Sequence, residues 1–295
     1  MRQRQRHNAI DGHHVGLKSA KSEASSIRIA DYGADTLWDQ LCNEARAAID
    51  NDPLLTRSMN LAILYHRSFA EALAHRIAQK LANPDINQEE LISIIREVFQ
   101  SDQRIVSSAK VDLEAIRDRD PSNAEILTPF LYFKGFLALQ GHRVAHWLWH
   151  HNKVHMARHI QSRISEALGV DIHPAARMGQ GIMLDHGSGL VIGETAVVED
   201  EVSILQDVTL GGTGKETGDR HPKIRRGALI GAGAKILGNI EVGVGAKVGA
   251  GSVVVSPVAA HTSVAGVPAR LVGRPNSDLP GISMEQTITE PEYVI

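Results

Sequence analysis

The chain has 295 residues, which is enough for two domains with a large buried core. Its formal charge of −3 argues against a nucleic-acid partner, and its single cysteine, Cys42, excludes a disulfide framework and fits a reducing compartment. No apolar run reaches the roughly 18 residues that a membrane span needs.

Residues 1–30 are polar and lack the apolar core of a secretory signal. We interpret them as a disordered tail, which favours a cytoplasmic protein. Their arginine and serine content leaves an organelle transit peptide open as the alternative.

Residues 31–169 carry the 3.6-residue spacing of an all-α domain. Leu37, Leu41 and Ala45 begin the first apolar stripe, and Asp52 and Pro53 end it. The remaining predicted helices run over about 55–81, from the Asn87 cap onward, over about 104–117, from Pro129 through Trp147, and over about 156–168, where Gly169 ends the last one.

Histidines repeat at helical spacing near the end of this domain. His142, His146 and His150 share one helix face, and such a row of imidazoles could bind a metal. No carboxylate or cysteine accompanies them at matching spacing, and the neighbouring Trp147 and Trp149 favour packing. A contact surface between helices or subunits is therefore the preferred interpretation, with metal binding as the alternative.

From residue 170 to 274 an aliphatic residue or methionine recurs every six residues, with two interruptions. A fixed six-residue period is typical of a parallel β-helix, in which three hexads form one triangular turn. The apolar residue points into the prism, and aromatic residues, only 4% of the chain, would not fit there. The sequence predicts an α+β protein whose helical domain caps the solenoid. The positions in register are Ile172, Met178, Leu184, Ile192, Val198, Ile204, Leu210, Ile224, Ile230, Ile236, Val242, Val248 and Val254.

The first interruption follows His186, at Gly187–Gly189. Asp171 lies 15 residues earlier, close to the roughly 18 of one turn, so the two side chains could stack about 4.8 Å apart. A carboxylate that orients an imidazole makes a general base for a hydroxyl nucleophile. We therefore predict a catalytic dyad here, against the alternative of two solvent-facing side chains.

The second interruption is the glycine-rich stretch 210–223. Gly214-Lys215 is followed by Glu216 and more β-helix, which excludes a phosphate loop of the Walker type. A protruding loop with Arg220 and His221 fits better, because the arginine fork binds a carboxylate through two hydrogen bonds.

Several long motifs closely resemble serine O-acetyltransferases, which make O-acetylserine from serine and acetyl-CoA in cysteine biosynthesis. The likeness covers about residues 35–275, and it implies that the β-helix is left-handed. The motifs are Arg119-Asp-Pro121, Gly141-His-Arg-Val-Ala-His-Trp-Leu-Trp149, Asp171-Ile-His-Pro-Ala-Ala176, Gly181-Ile-Met-Leu-Asp-His186, Gly193-Glu-Thr-Ala196, Leu210-Gly-Gly-Thr-Gly-Lys215, Asp219-Arg-His-Pro-Lys-Ile224 and Ala265-Gly-Val-Pro-Ala-Arg270.

The resemblance also implies roles for particular residues. His186 would take the serine hydroxyl proton and Asp171 would orient it, with no metal and no permanently bound cofactor. Substrate-binding positions of the family match Asp120, Asp185, Arg220 and His221, and acetyl-CoA positions match Gly212, Ala232, Lys247 and Ala250.

The family further implies assembly and partners. Prisms form trimers, two trimers join through the helical domains, and cysteine inhibits at the serine site. Residues 275–295 lack a period and are predicted to be a flexible tail, whose final Ile295 would bind O-acetylserine sulfhydrylase.

Three other functions remain open at this stage. A related acyltransferase for a sugar or antibiotic would not need the Asp120, Asp185 and Arg220 set. A zinc carbonic anhydrase of the same solenoid type would need a pair of prism histidines five residues apart, which the sequence lacks. A non-catalytic scaffold would not need the Asp171 and His186 pair.

Overall fold

The computed structural model describes residues 36–214 and 217–288. The predicted N-terminal tail and the predicted anchor Ile295 lie outside these ranges. Within them, no helix is both long and apolar enough to cross a membrane.

Helices fill the first half of the described chain, in the order that the apolar spacing predicts. A 3₁₀ turn (Pro53–Leu55) and a π-helical turn (Asn60–Leu64) flank the short helix α2. The α-helices are α1 (Thr36–Asn51), α2 (Thr56–Met59), α3 (Phe69–Leu81), α4 (Gln88–Ser101), α5 (Arg104–Arg119), α6 (Leu127–Tyr132), α7 (Lys134–His150) and α8 (Val154–Leu168).

Two predicted long helices are each broken in the structure. The helix expected over 55–81 is interrupted before Phe69, because Ser68 takes an extended backbone and its side chain accepts a hydrogen bond from the Glu71 amide. The helix expected from Pro129 is split at Phe133 into α6 and α7. By contrast, the Asn87 cap of α4 is confirmed, with a full capping box through Glu90.

The second half is a prism of parallel strands with three faces. The first face contains β1, β4, β7, β10 and β13, the second β2, β5, β8 and β11, and the third β3, β6, β9, β12 and β14 with β15 antiparallel at its end. The strands are β1 (Val170–Ile172), β2 (Arg177–Met178), β3 (Met183–Leu184), β4 (Leu190–Ile192), β5 (Val197–Val198), β6 (Ser203–Ile204), β7 (Thr209–Gly211), β8 (Lys223–Ile224), β9 (Leu229–Ile230), β10 (Lys235–Leu237), β11 (Glu241–Val242), β12 (Lys247–Val248), β13 (Val253–Val254), β14 (Ser263–Ala265) and β15 (Arg270–Gly273).

The six-residue repeat fills the core of this prism. Of the thirteen aliphatic or methionine positions in the repeat, only Met178 is partly exposed, and the other twelve are buried. Parallel pairing stacks these positions on one another, as in Ile172 on Ile192 and Ile192 on Leu210. The predicted helical domain followed by a parallel β-helix is therefore confirmed.

A buried ion pair holds the helical domain on the first turn of the prism. Asp112 of α5 is fully buried, and its carboxylate accepts hydrogen bonds from Gln140 and Arg143 of α7 and from the Ile182 amide of the prism. Arg143 also donates to the Gly179 carbonyl at 2.7 Å. Because a buried charge is costly without a partner, these contacts fix the helices against the strands.

The predicted flexible tail contains structure as far as residue 288. A one-turn helix, α9 (Pro280–Ser283), packs on the prism, where the Gly281 amide donates to the Gly227 carbonyl at 2.8 Å. Beyond it, Glu285 pairs with Lys247 of the third face at 2.8 Å. These contacts are not predictable from the sequence, because a single turn has no period to detect.

Candidate active site

The two interruptions of the repeat lie on two different edges of the prism. The first comes between β3 and β4, so it projects from the edge that joins the third face to the first; we call this the His186 corner (residues 185–189). The second lies between β7 and β8, on the edge that joins the first face to the second; we call it the Arg220 corner (residues 193–196, 212–214 and 217–222). The whole first face therefore separates them.

At the His186 corner the backbone turns sharply. His186 has a φ of 55° and Gly187 a φ of 69°, both in the left-handed region. Helix α7 starts directly beside this turn, and a Cβ on Gly135 would lie 2.0 Å from the Leu184 carbonyl oxygen. Glycine at position 135 is thus required for α7 to approach the turn closely.

A cavity of about 700 Å³ opens at this corner and brings three predicted residues together. Asp120, at the end of α5, and Asp185 line it with His186, whose imidazole is largely exposed. The His186 Nε2 atom lies 3.7 Å from Asp185 Oδ1. Two carboxylates beside an imidazole can bind a cation and accept a proton in the same space.

Electrostatics distinguish the two carboxylates. Burial raises the pKa of Asp185 above its usual value, and the negative charge of Asp120 raises it further, while His186 opposes the shift. Asp120 Oδ1 accepts hydrogen bonds from the Ser122 amide at 2.9 Å and hydroxyl at 2.6 Å. Like charges held this close favour a bound cation, because a cation relieves their repulsion.

Several residues of this cavity have no role predicted from the sequence. Lys134 donates a hydrogen bond from Nζ to Ser188 in the His186 corner, and Tyr132, Met183, Met284 and Gln286 line the walls. Arg119 directly precedes Asp120 and also lines the cavity. Arg119 and Met183 lie in quoted motifs, but no sequence signal distinguishes their roles from structural ones.

At the Arg220 corner one threonine organises the site. Thr195 Oγ1 accepts hydrogen bonds from the Arg220 and His221 amides at 3.0 and 3.1 Å. The Thr195 amide donates to His221 Nδ1, so the neutral imidazole carries its proton on Nε2. A Cβ on Gly193 would lie 2.0 Å from the His221 ring, which explains the glycine there.

The charges at this corner are partly neutralised within the chain. Arg220 donates to Glu194 at 2.8 Å, and this hydrogen bond lowers the pKa of the Glu194 carboxyl. Burial lowers the pKa of His221, and the Arg220 charge adds to the effect. The imidazole of His221 is therefore neutral near pH 7, and the guanidinium supplies the positive charge.

Asp171 is not stacked beneath His186. The first turn of the prism takes 20 residues, as the register Asp171 to Val191 and Ile172 to Ile192 shows. The expected one-turn stacking is thus wrong, because the inserted Gly187–Gly189 stretch moves His186 to the corner. The carboxylate of Asp171 instead accepts a hydrogen bond from Gln161 at 2.7 Å.

The predicted acetyl-CoA positions lie in three different parts of the prism. Ala232 and Ala250 lie above the His186 corner, at the same edge in later turns, where the Gly251 amide donates to the Ala232 carbonyl. Lys247 is on the third face with its ammonium on Glu285 and Thr287. Gly212 belongs to the Arg220 corner, beside Arg220 itself.

His142 and His146 of the histidine row pack between α7 and the prism, whereas His150 is exposed. His142 is buried, and His146 Nδ1 lies 2.7 Å from the Pro174 carbonyl oxygen. Trp149 meets His173 edge to face. Across residues 36–214 and 217–288, no three His, Cys, Asp or Glu side chains are grouped so that they could hold a metal ion.

Comparison with known proteins gives one family. The family described as "Serine acetyltransferase, N-terminal" matches residues 37–141. The serine acetyltransferase of Salmonella typhimurium strain LT2 is 52% identical over 252 residues, which are 85% of this chain and 92% of that protein.

Solved structures agree with this result. Serine acetyltransferase from Vibrio cholerae is 54% identical, with a TM-score of 0.84 over 85% of this chain and 98% of that one. A serine acetyltransferase in complex with cysteine is 49% identical, with a TM-score of 0.84 and 86% and 99% coverage. The Brucella abortus strain S19 enzyme in complex with coenzyme A is 50% identical, with a TM-score of 0.80 and 81% and 96% coverage. On these grounds, together with the two corners, the chain belongs to the serine acetyltransferase family and is an acyltransferase enzyme.

Proposed function

We propose that this chain transfers the acetyl group of acetyl-CoA to the hydroxyl of L-serine by direct attack, as a step of cysteine biosynthesis. The products are O-acetyl-L-serine and CoA. The observation that carries the proposal is the cavity at the His186 corner, where an exposed imidazole lies beside two carboxylates. A hydroxyl nucleophile needs a base, and an amino acid needs a partner for its ammonium group.

His186 is the general base in this proposal. Its imidazole takes the serine hydroxyl proton as the oxygen attacks the thioester carbonyl carbon. The resulting tetrahedral intermediate expels the CoA sulfur, which receives the proton back from the imidazolium. In this proposal Asp171, which pairs with Val191 of the strand that follows the corner, orients the base.

Asp120 and Asp185 bind the serine ammonium, while Arg220 and His221 bind its carboxylate. Both carboxylates line the cavity, and the ammonium charge relieves the repulsion that raises the pKa of Asp185. The Arg220 fork is bonded to Glu194 in the free chain, so the substrate carboxylate must take over one of its donors.

The two corners must come from two copies of the chain. A three-residue strand spans about 10 Å, so the first face keeps Arg220 beyond hydrogen-bond reach of a ligand held at His186. Joining the His186 corner of one prism to the Arg220 corner of its neighbour closes the site, and three copies complete a ring. We propose this trimer, and a hexamer in which the helical domains join two trimers.

Acetyl-CoA lies in the groove between these prisms. Ala232 and Ala250 continue the edge above His186, one turn apart, so small side chains line a path along the prism axis. Successive turns rise by about 4.8 Å, and the three turns from His186 to Ala250 span about 14 Å, a length suited to an extended pantetheine arm. Lys247 flanks this path, and Gly212 faces it from the neighbouring prism.

Cysteine and a sulfhydrylase are the further partners. Cysteine has the ammonium and carboxylate of serine, so the same ligands hold it as an inhibitor; the related structure bound to cysteine supports this. Ile295 anchors O-acetylserine sulfhydrylase. Deleting Ile295 should abolish binding in a calorimetric titration with that enzyme and leave acetyl transfer intact; unchanged affinity would contradict the anchor.

We place the reaction in the cytoplasm, in line with the single, buried Cys42.

The deciding experiment is a thiol-release assay with acetyl-CoA and a panel of acceptors. L-serine should be the best substrate. Ethanolamine lacks the carboxylate that Arg220 binds, and 3-hydroxypropionate lacks the ammonium that Asp120 and Asp185 bind, so each should lose at least about 100-fold in kcat/KM. O-Methyl-L-serine has no hydroxyl and should release no thiol. Faster acetylation of a sugar or aminoglycoside would refute the proposal.

A further inference from the structure

Arg119 is the most buried charged side chain beside the active-site cavity. It is the last residue of α5, its side chain is only 2% exposed, and Asp120 follows it directly. Its guanidinium forms an ion pair with Glu201 and donates from Nη1 to Ser203 Oγ at 3.1 Å. Glu201 and Ser203 belong to the prism, so this one side chain ties the end of α5 to the strands.

The contact continues to a third element. Ser203 Oγ donates to the Gly281 carbonyl of α9, and Ser203 is itself fully buried. Arg119 therefore has fixed partners on rigid elements, while the neighbouring Asp120 points into the cavity. Asp120 follows the end of α5, so the position of its carboxylate depends on how that end is held.

We infer that Arg119 is a positioning residue, which fixes the Asp120 carboxylate against Asp185 so that the pair fits the substrate ammonium. The inference rests on the proposed serine site. An ammonium ligand must be held closely, because a displacement of about 1 Å can cost up to about 100-fold in rate or affinity. A guanidinium can serve Glu201 and Ser203 at once, whereas a lysine ammonium on the same stem lacks this fork.

The chain supplies a matched control. Arg143 is likewise buried, pairs with Asp112 and ties α7 to the prism, and it does not line the cavity at His186. Arg119→Lys and Arg143→Lys should lower Tm to a similar degree. Only Arg119→Lys should raise the serine KM, by about 10-fold, with kcat at saturating serine within about 3-fold and the acetyl-CoA KM unchanged.

A purely structural role predicts a different result. Equal serine KM values in the two variants would overturn the inference, as would an unchanged serine KM in Arg119→Lys. If Arg119→Lys does not fold, Glu201→Gln decides by the same criteria, because it removes the partner charge at a position that is 29% exposed.

The pH dependence of serine binding gives an independent readout. Displacing the Asp120 charge lowers the pKa of Asp185, so in Arg119→Lys the loss of serine binding on acidification should move to lower pH. If Arg119→Lys loses serine binding at the same pH as the unmodified protein, the positioning role is contradicted. Asp120→Asn distinguishes an error in the proposed serine site from an error in the role of Arg119. If Asp120→Asn binds serine normally, the proposed serine site is wrong. If Asp120→Asn binds serine poorly and Arg119→Lys binds it normally, only the inference about Arg119 is wrong.

Discussion

At the scale of single residues, the proposed base occupies an unusual backbone conformation. His186 has a φ of 55°, and a residue with a Cβ adopts this region only where its surroundings hold it there. Gly135 and Gly187 provide those surroundings by letting α7 lie directly on the turn. The imidazole is thus presented outward from a rigid corner, with its side chain free to meet a substrate.

Replacing His186 tests its role against a matched histidine. His261 is also exposed and has a φ of 54°, but it lies on another edge of the prism. Asparagine tolerates the left-handed region, so His186→Asn and His261→Asn carry a similar backbone cost. We expect His186→Asn to lower kcat by about 10²- to 10⁴-fold and His261→Asn to change it by less than about 2-fold in the thiol-release assay. Similar losses in both variants would show that the effect is structural.

The pH dependence of serine binding should report on Asp185. Binding the ammonium requires an ionised carboxylate, and burial together with Asp120 raises the pKa of Asp185, so affinity should be lost on acidification at a higher pH than for an ordinary aspartate. Asp120→Asn removes one of the two causes of the raised pKa of Asp185. Calorimetry across the acid range should then find weaker binding at neutral pH and an acid limb shifted to lower pH. A shift to higher pH would exclude this electrostatic coupling.

At the scale of elements, the C-terminal segment after α9 covers part of the proposed cofactor groove. The Lys247 ammonium is buried and bonded to the Glu285 carboxylate and to the Thr287 carbonyl. The same Glu285 hydrogen bond holds the pKa of its carboxyl below the usual value. If Lys247 contacts acetyl-CoA, the segment and the cofactor compete for one ammonium group.

Weakening the segment should therefore favour the cofactor. Glu285→Gln removes the charge opposite Lys247, and we expect the KM for acetyl-CoA to fall by about 2- to 5-fold with little change in the serine KM. Glu241→Gln, which removes an exposed ion pair with Arg225 on the second face, is the control. A higher acetyl-CoA KM in Glu285→Gln would mean that the segment helps to form the groove.

Elements with a sequence period were predictable, and contacts that depend on insertions were not. The hexads fixed the strands and core because each aliphatic residue has the same environment, from Ile172 to Val254. The pairing of Asp171 with His186 was misjudged because two inserted residues change the register by a small amount that spacing cannot resolve. Arg119 escaped notice for a different reason: a buried arginine looks like a surface arginine until its partners, Glu201 and Ser203, are known.

At the scale of the whole molecule, the two corners of the proposed site lie at opposite edges of the first face. Val191 at the middle of the first face is an exposed apolar residue, with Asp171 and Thr209 as its neighbours on the adjoining strands. Its exposure fits a face that another prism would cover in the proposed trimer. Activity should then depend on the neighbour as well as on the chain that carries the base.

Mixing two inactive variants tests this arrangement. His186→Asn lacks the base and Arg220→Ala lacks the carboxylate ligand, so each homo-oligomer should be nearly inactive. After co-refolding at equal concentrations, about one quarter of the sites should combine an intact His186 with an intact Arg220 from two chains. Recovery of thiol release toward that fraction of wild-type activity is expected. Recovery no greater than the sum of the separate variants would place both residues in a site within one chain.

The seating of α7 and α8 on the first turn also bears on how the chain acquires its structure. In a solenoid each turn contacts only its neighbours, so order can spread along the axis once one turn has formed. Here β1 and β3 form against α7 and α8, which precede them in the chain, and one continuous apolar core joins the helices to the prism. During synthesis the helices leave the ribosome first and offer a finished template to the opening strands. The first turn of strands, which is the costliest to form, therefore forms at the N-terminal end of the prism, which is synthesised first. Each later turn then adds to a turn that has already formed.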